Sequence, residues 1–385
     1  MANHSKRSTI IILATTMLIT CAWITPAITA SQKEMQRIPP SVTLSTIAGQ
    51  TGIRGNAEDG NGANARFWNP TKMVFDGRNN MLYVADGTVI RSIDRDNNVK
   101  TYMPLHTLGN HNEIMDIDLA PGSKGGTLIF ITSENDIWKI EPDGNSSKAT
   151  RLIDRVYGGN RLGEMNSADQ IDGPTGIVSG KNGEIYYFNS FWNTMRKINL
   201  NPSSPLTGTV EPFVGKPLPS KNDSVWPFAD GKGEVATFCG SVSDISSDAN
   251  GNIYVADFRN DLVRMVTPAG TVTSLFQYKE GLGFDKDGPV SVAQSNRVTQ
   301  VSASADGKTV FFTSFGKGGY NTPTLRMVRP GQEVITLIAS LKRTGNDTGT
   351  GTGLGMIGGI ASTSDGKTVF ISEPGNKVIR KVTIQ

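Results

Sequence analysis

FADGKGEVATFCGSVSDISSDANGNIYVADFRNDLVRMVTPAGTVTSL, residues 228–275, contains four short β-prone runs and the turns that join them. A small-and-aliphatic run, SVSDISSD, leads into Asn250-Gly251, a pair that favours a tight hairpin because Gly tolerates positive φ. An aromatic run, NIYVADF, comes next, then LVRMV with a basic residue at its centre, then TVTSL. Four runs of this length with turns between them describe one small antiparallel sheet.

The same unit recurs along the chain, and a repeat decides architecture before any single strand does. The aromatic run returns as MLYVAD from Met81, TLIFITS from Thr127, EIYYFNS from Glu184, TVFFTSF from Thr309 and TVFISE from Thr368. Most copies follow a turn pair: Asp76-Gly77, Asn182-Gly183, Asp306-Gly307 or Asp365-Gly366. The third run places Arg91, Lys139, Arg196, Arg264, Arg326 and Arg380 at matching positions. Five units have a fourth run, and the sixth ends at Gln385 without one. Residues 42–49, VTLSTIAG, have the composition of that missing strand. The expectation is an all-β, six-bladed β-propeller with four antiparallel strands per blade, closed by residues 42–49 pairing into the last blade.

These residues resemble NHL-repeat propellers. The resemblance rests on residues 228–275 and on VTLSTIAGQTGIRGNAEDGNGANARFWNPTKMVFDGRNNMLYVADGTVIRSID, residues 42–94. Both have an acidic ADG-type loop, Ala-x-Phe, the Tyr-Val-Ala-Asp strand and the Arg of the third strand. The last blade matches in PGNKVIRKV, while the second and fifth are degenerate. Such a resemblance is specific for fold and weak for activity, since the family and its relatives include protein-binding domains, RNA binders and metal-dependent lyases or lactonases.

Ahead of the repeat, Lys6 and Arg7 precede an apolar run from about Thr9 to Ile24 that ends at Pro26 and small residues, the pattern of a secretory signal. Residues 1–30 read as a signal peptide cleaved after Ala27 or Ala30, residues 31–41 as a linker, and residues 42–385 as the propeller domain. That implies a secreted or periplasmic protein with no membrane span in the mature chain. Cys21 in LITC is weak ground for a lipoprotein anchor, because Thr20 is a poor residue before a modified cysteine. Removing Lys6 and Arg7 leaves 36 basic against 35 acidic groups. A near-neutral ring excludes the basic footprint of a nucleic-acid binder. The third-strand basic residues fall on different blades and line no common groove.

Ligands of propellers usually sit around the channel, on the face formed by the loops before the innermost strand and between the second and third strands. This sequence puts Arg66, Trp68, Asn69, Phe191, Trp192, Asn193, Trp226, Arg259 and Asn260 there. Aromatic faces beside Asn and Arg suit a protein, peptide or glycan ligand, so the first reading is a binding scaffold. The alternative is a metal-dependent lactonase, esterase or lyase with its site at the channel mouth. After signal removal only His106 and His111 remain, too few for a three-histidine zinc site. A two-histidine site would need Glu113 or Asp116. No cofactor is required by the sequence, and a divalent cation such as calcium is the one left open: Asp285-Lys286-Asp287-Gly288 hints at a calcium loop. Recurrence of Asp59-Gly60, Asp230-Gly231 and Asp287-Gly288 favours turn acids that cap backbone N–H groups instead.

Overall fold

Each unit folds as its alternation dictates, with an aromatic second strand buried on both faces and polar turns at either end. The computed structural model describes residues 40–385 apart from 53–55, 106–112, 121–125, 144–145, 154–172, 191, 200–209, 218–227, 239–240, 278–283, 317–321 and 340–352. Within the unit Pro39–Gln385, six antiparallel sheets form the blades. Their innermost strands are Pro70–Asp76, Ile114–Leu119, Pro174–Ser179, Val242–Ser247, Gln300–Ala303 and Gly359–Ser362.

The displaced strand lies where the repeat requires it. Val42–Gly49 pairs antiparallel with Val378–Ile384, from Val42 opposite Ile384 to Gly49 opposite Val378, with a bulge between Thr46 and Ala48. The N–H of Gln385 donates to the Ser41 carbonyl at 3.0 Å, which locks the two chain ends of the ring together. One feature exceeds the expected four strands per blade. In blades one, four and five, the two-residue strands Gly60–Asn61, Gly231–Lys232 and Gly288–Pro289 add a fifth to the outer edge.

The core is distributed over the seams between blades. Six hydrophobic clusters each draw side chains from two adjacent blades. Phe188 meets Phe238 edge-on at 5.3 Å between blades three and four, and Phe75 meets Phe370 at 5.3 Å between blades one and six. Closure therefore joins the last seam as well as the last sheet.

The third-strand arginines of blades one, four and five are fully buried and do the same job in each. Arg91 donates to the carbonyls of Glu58 (2.9 Å) and Arg66 (3.0 Å), two residues bridged to each other across the loop that precedes the innermost strand. Arg264 repeats this with Ala229 and Thr237, and Arg326 with Lys286 (3.0 Å) and Gln294 (2.7 Å). The turn acids complete each clamp: Asp59 lies 2.9 Å from Arg91, Asp230 2.8 Å from Arg264, and Asp287 2.8 Å from Arg326. Asp230 and Asp287 also accept the N–H groups of Ser274 and Thr336, both at 2.8 Å. The expected N–H capping is present, and pairing with arginine, which the sequence reading did not foresee, is added to it. A phenyl ring, Phe67, Phe238 or Phe312, covers each guanidinium at 4.6–5.5 Å.

Removing one member of a buried, hydrogen-bonded ion pair leaves an uncompensated charge and costs about 3–5 kcal/mol. Arg264→Ala should lower the unfolding free energy by that amount in urea denaturation, whereas Arg259→Ala, on the surface, should stay within about 0.5 kcal/mol. Equal effects from the two variants would contradict a clamping role.

Candidate ligand site in the central channel

An innermost strand is the edge of its sheet, so half its backbone N–H and C=O groups point away from any strand partner. Side chains of the preceding blade answer some of them. Asp116 accepts the N–H of Ile177 at 2.7 Å, and Asp244 that of Val301 at 2.8 Å. One level further along, Asp118 accepts Ser179 N–H (2.8 Å), Ser246 accepts Ala303 N–H (3.2 Å), and Ser302 accepts Ser362 N–H (2.9 Å). At three junctions, from blade two to three, four to five and five to six, a polar residue on one innermost strand caps the edge of the next.

At the upper of these levels the six strands contribute Lys72, Asp116, Gly176, Asp244, Gln300 and Gly359. The two glycines have steric causes. A Cβ on Gly359 would lie 2.5 Å from the Thr71 carbonyl oxygen, and one on Gly176 would lie 2.7 Å from Ile245 Cγ1. Lys72 does not cap a neighbour. Its ammonium spans from blade one to blades four and five, donating to Asp244 Oδ1, to Gln300 Oε1 at 2.8 Å and to the Ser243 carbonyl at 3.3 Å. This bridge crosses the axis and plugs the channel.

Beyond the plug lies a cavity of about 420 Å³, lined by Asp116, Asp118, Ser179, Ser246, Ser302 and Ser362, among others. Its mouth is formed by the turns between first and second strands and bears Arg78, Lys181, Asp248 and Ser364. Desolvation governs the acids inside. Burial pushes the Asp116 carboxyl up to about 8 against the pull of Lys72, with Asp244 adding to the rise. Burial also lifts Asp118, to about 6, with the N–H groups of Ser179 and Leu119 holding it down. Asp244 is raised for the same reason, opposed chiefly by Lys72.

The described residues among those chosen from sequence lie at the opposite end of the channel. Trp68 is 56% exposed, with the Lys377 ammonium 6.0 Å from its ring centroid. The N–H groups of Trp68 and Asn69 donate to Asp86 at 3.1 and 2.6 Å. Arg66 pairs with Glu58 at 3.2 Å. Asn193 is buried in the left-handed region at φ 58°, beside a half-buried Trp192. Asn260 donates to Asp257 at 2.8 Å, and Arg259 is exposed. The Arg66 and Asn260 side chains serve the local turn, and Trp68 and Arg259 are the exposed ones. Phe191, Trp226, His106 and His111 lie outside the described residues.

Asp285 accepts from Ser314, Thr324 and Arg326, so the acids of the calcium-like stretch are engaged by protein donors. Among the described residues no group of three or more His, Cys, Asp and Glu gathers where it could hold a metal ion. Lys72, Asp118, Asp244 and Gln300 were missed by sequence reasoning, which weighed Asp116 only as a completing ligand of a two-histidine metal site. The signal was there: in the aligned runs PTKMV, IMDID, PTGIV, VSDIS, VTQVS and IGGIA, the third residue takes four types, Lys, Asp, Gly and Gln, across six blades.

Among solved structures the chain is similar to a Bacteroides thetaiotaomicron protein of unknown function, with 18% identity and a TM-score of 0.61, covering 90% of this chain and 76% of that one. It is similar also to an auxiliary nutrient binding protein of the same organism (15%, TM-score 0.59, 90% and 77% covered). A third is virginiamycin B lyase from Staphylococcus aureus (14%, TM-score 0.50, 90% and 100% covered). At such identities the likeness shows the fold alone. No family model and no curated protein matches the chain.

Asp116 and Asp118 bind protons more tightly folded than unfolded, where the ordinary value is 3.8. Their contribution to stability is complete below about pH 3.8 and is lost as pH rises through about 6 for Asp118 and about 8 for Asp116. The double variant Asp116→Asn, Asp118→Asn keeps both backbone acceptors and removes the titration. Its stability should therefore fall less than wild type between pH 4 and 8 in parallel chemical melts. Curves with the same slope would contradict the assignment.

Proposed function

We propose that this protein is an exported, NHL-type binding propeller that holds a small polar ligand in the blind half of its central channel. One observation carries the reading: the Lys72 bridge to Asp244 and Gln300 turns an open tube into a cul-de-sac. A cavity of about 420 Å³ falls within the usual range for small-molecule sites. Convergent hydroxyls and carboxyls are what such a site needs for orientation, and a floor that excludes through-flow of water strengthens each polar contact.

Other features support parts of this proposal. The buried clamp of Arg91, Arg264 and Arg326 on the acidic loops matches the NHL-like motif of the sequence. The signal pattern of residues 1–30 supports export. One structural neighbour is described as an auxiliary nutrient binding protein, in keeping with a binding role. Trp68, exposed on the other face, is placed to meet a larger protein or glycan partner.

A metabolite panel screened by thermal shift locates the site. A ligand that binds the folded state raises the melting temperature by mass action. Ser364→Trp, at the exposed lip of the cavity, should weaken any hit at least tenfold, and Trp68→Ala should leave it unchanged. The reverse pattern would move the ligand to the opposite face.

A further inference from the structure

We infer that the occupant of this cavity is a short peptide with free termini, entering amine-first, so that its ammonium meets Asp116 and Asp118 and its carboxylate meets Lys181. The inference rests on the binding reading above and specifies its ligand. It starts from a missing countercharge. Lys72 has three N–H donors, and Asp244, Gln300 and the Ser243 carbonyl use all three. Asp116, 5% exposed, and Asp118 both line the cavity, and among the described residues no basic side chain forms an ion pair with either. Buried ionised carboxyls are ordinarily paired; Asp118, raised only to about 6, is the one ionised near neutral pH, and a ligand ammonium would give it the pair it lacks among the described residues.

The opposite pole lies at the mouth. Lys181 occupies the exposed turn that follows the innermost strand of blade three, next to the blade that contributes Asp116 and Asp118. The N–H of Ser179 donates to Asp118, so the two residues share a level in the channel. Lys181 is two residues further along, at most about 7 Å of backbone. An extended peptide advances about 3.3–3.6 Å per residue, so two or three residues bridge the poles. Ser246 and Ser302, at the level of Asp118, offer both donor and acceptor to the first peptide groups. A neutral sugar would satisfy the hydroxyls and leave the carboxyls without countercharge. A dianion would meet Asp116 and Asp118 at close range.

Calorimetry on the full mature chain tests this with trialanine, N-acetyltrialanine, trialanine amide, glucose and maltose. Trialanine should bind. N-acetylation and Asp118→Asn should each weaken it at least tenfold, and C-amidation and Lys181→Ala a few-fold. Asn at position 118 retains an acceptor for Ser179 N–H, and a melting curve checks that the variant is folded. Equal binding of N-acetyltrialanine, or full binding to folded Asp118→Asn, would overturn the amine-first peptide. So would a sugar that binds in place of trialanine; if Ser364→Trp blocks that sugar, the channel reading stands without the peptide. Binding of no probe would overturn the peptide assignment and leave the channel reading to the wider panel.

Discussion

A closed propeller leaves every blade with two edge strands, one at the rim and one on the central channel. Six innermost strands run along the axis, each with one side unpaired. This protein meets that constraint with side chains: Asp116, Asp118, Asp244, Ser246 and Ser302 each accept an N–H from the next blade. The groups that close the edge are carboxyls and hydroxyls, so the channel they line is polar by construction. Where the strands approach too closely for a side chain, Gly176 and Gly359 stand instead. The cavity, its acids with raised pKa and the lysine plug all follow from how the edges are capped.

A second device acts at the outer reach of each blade. The loop before an innermost strand carries bridged backbone groups that a buried arginine can reach only from the third strand, and in blades one, four and five Arg91, Arg264 and Arg326 do so. Each clamp fixes where its innermost strand begins. Positions such as Lys72 and Asp244 thereby inherit their height in the channel from arginines well away from the axis.

The fold was legible because its signals repeat. Turn pairs such as Asn250-Gly251, the aromatic second strands and the displaced run at residues 42–49 each reflect local chemistry that every blade must satisfy. The channel cavity was not legible for the converse reason. In a repeat protein the copies agree where structure demands it and differ where the blades meet on the axis, as Lys72, Asp116, Gly176, Asp244, Gln300 and Gly359 do. Searching for recurring acids found Asp59, Asp230 and Asp287, which are parts of the clamps. Exposed loop residues were judged by type alone, and sequence does not reveal that Asn260 is spent on Asp257 or that Asn193 turns the chain at positive φ.

Amide hydrogen exchange at Ile177 tests the edge-capping account most directly. This N–H has Asp116 as its acceptor on the channel side. The account predicts slow exchange in the wild type, fast exchange in Asp116→Ala, and unchanged protection at Val301, whose acceptor is Asp244. Persistent protection of Ile177 in that variant would contradict it.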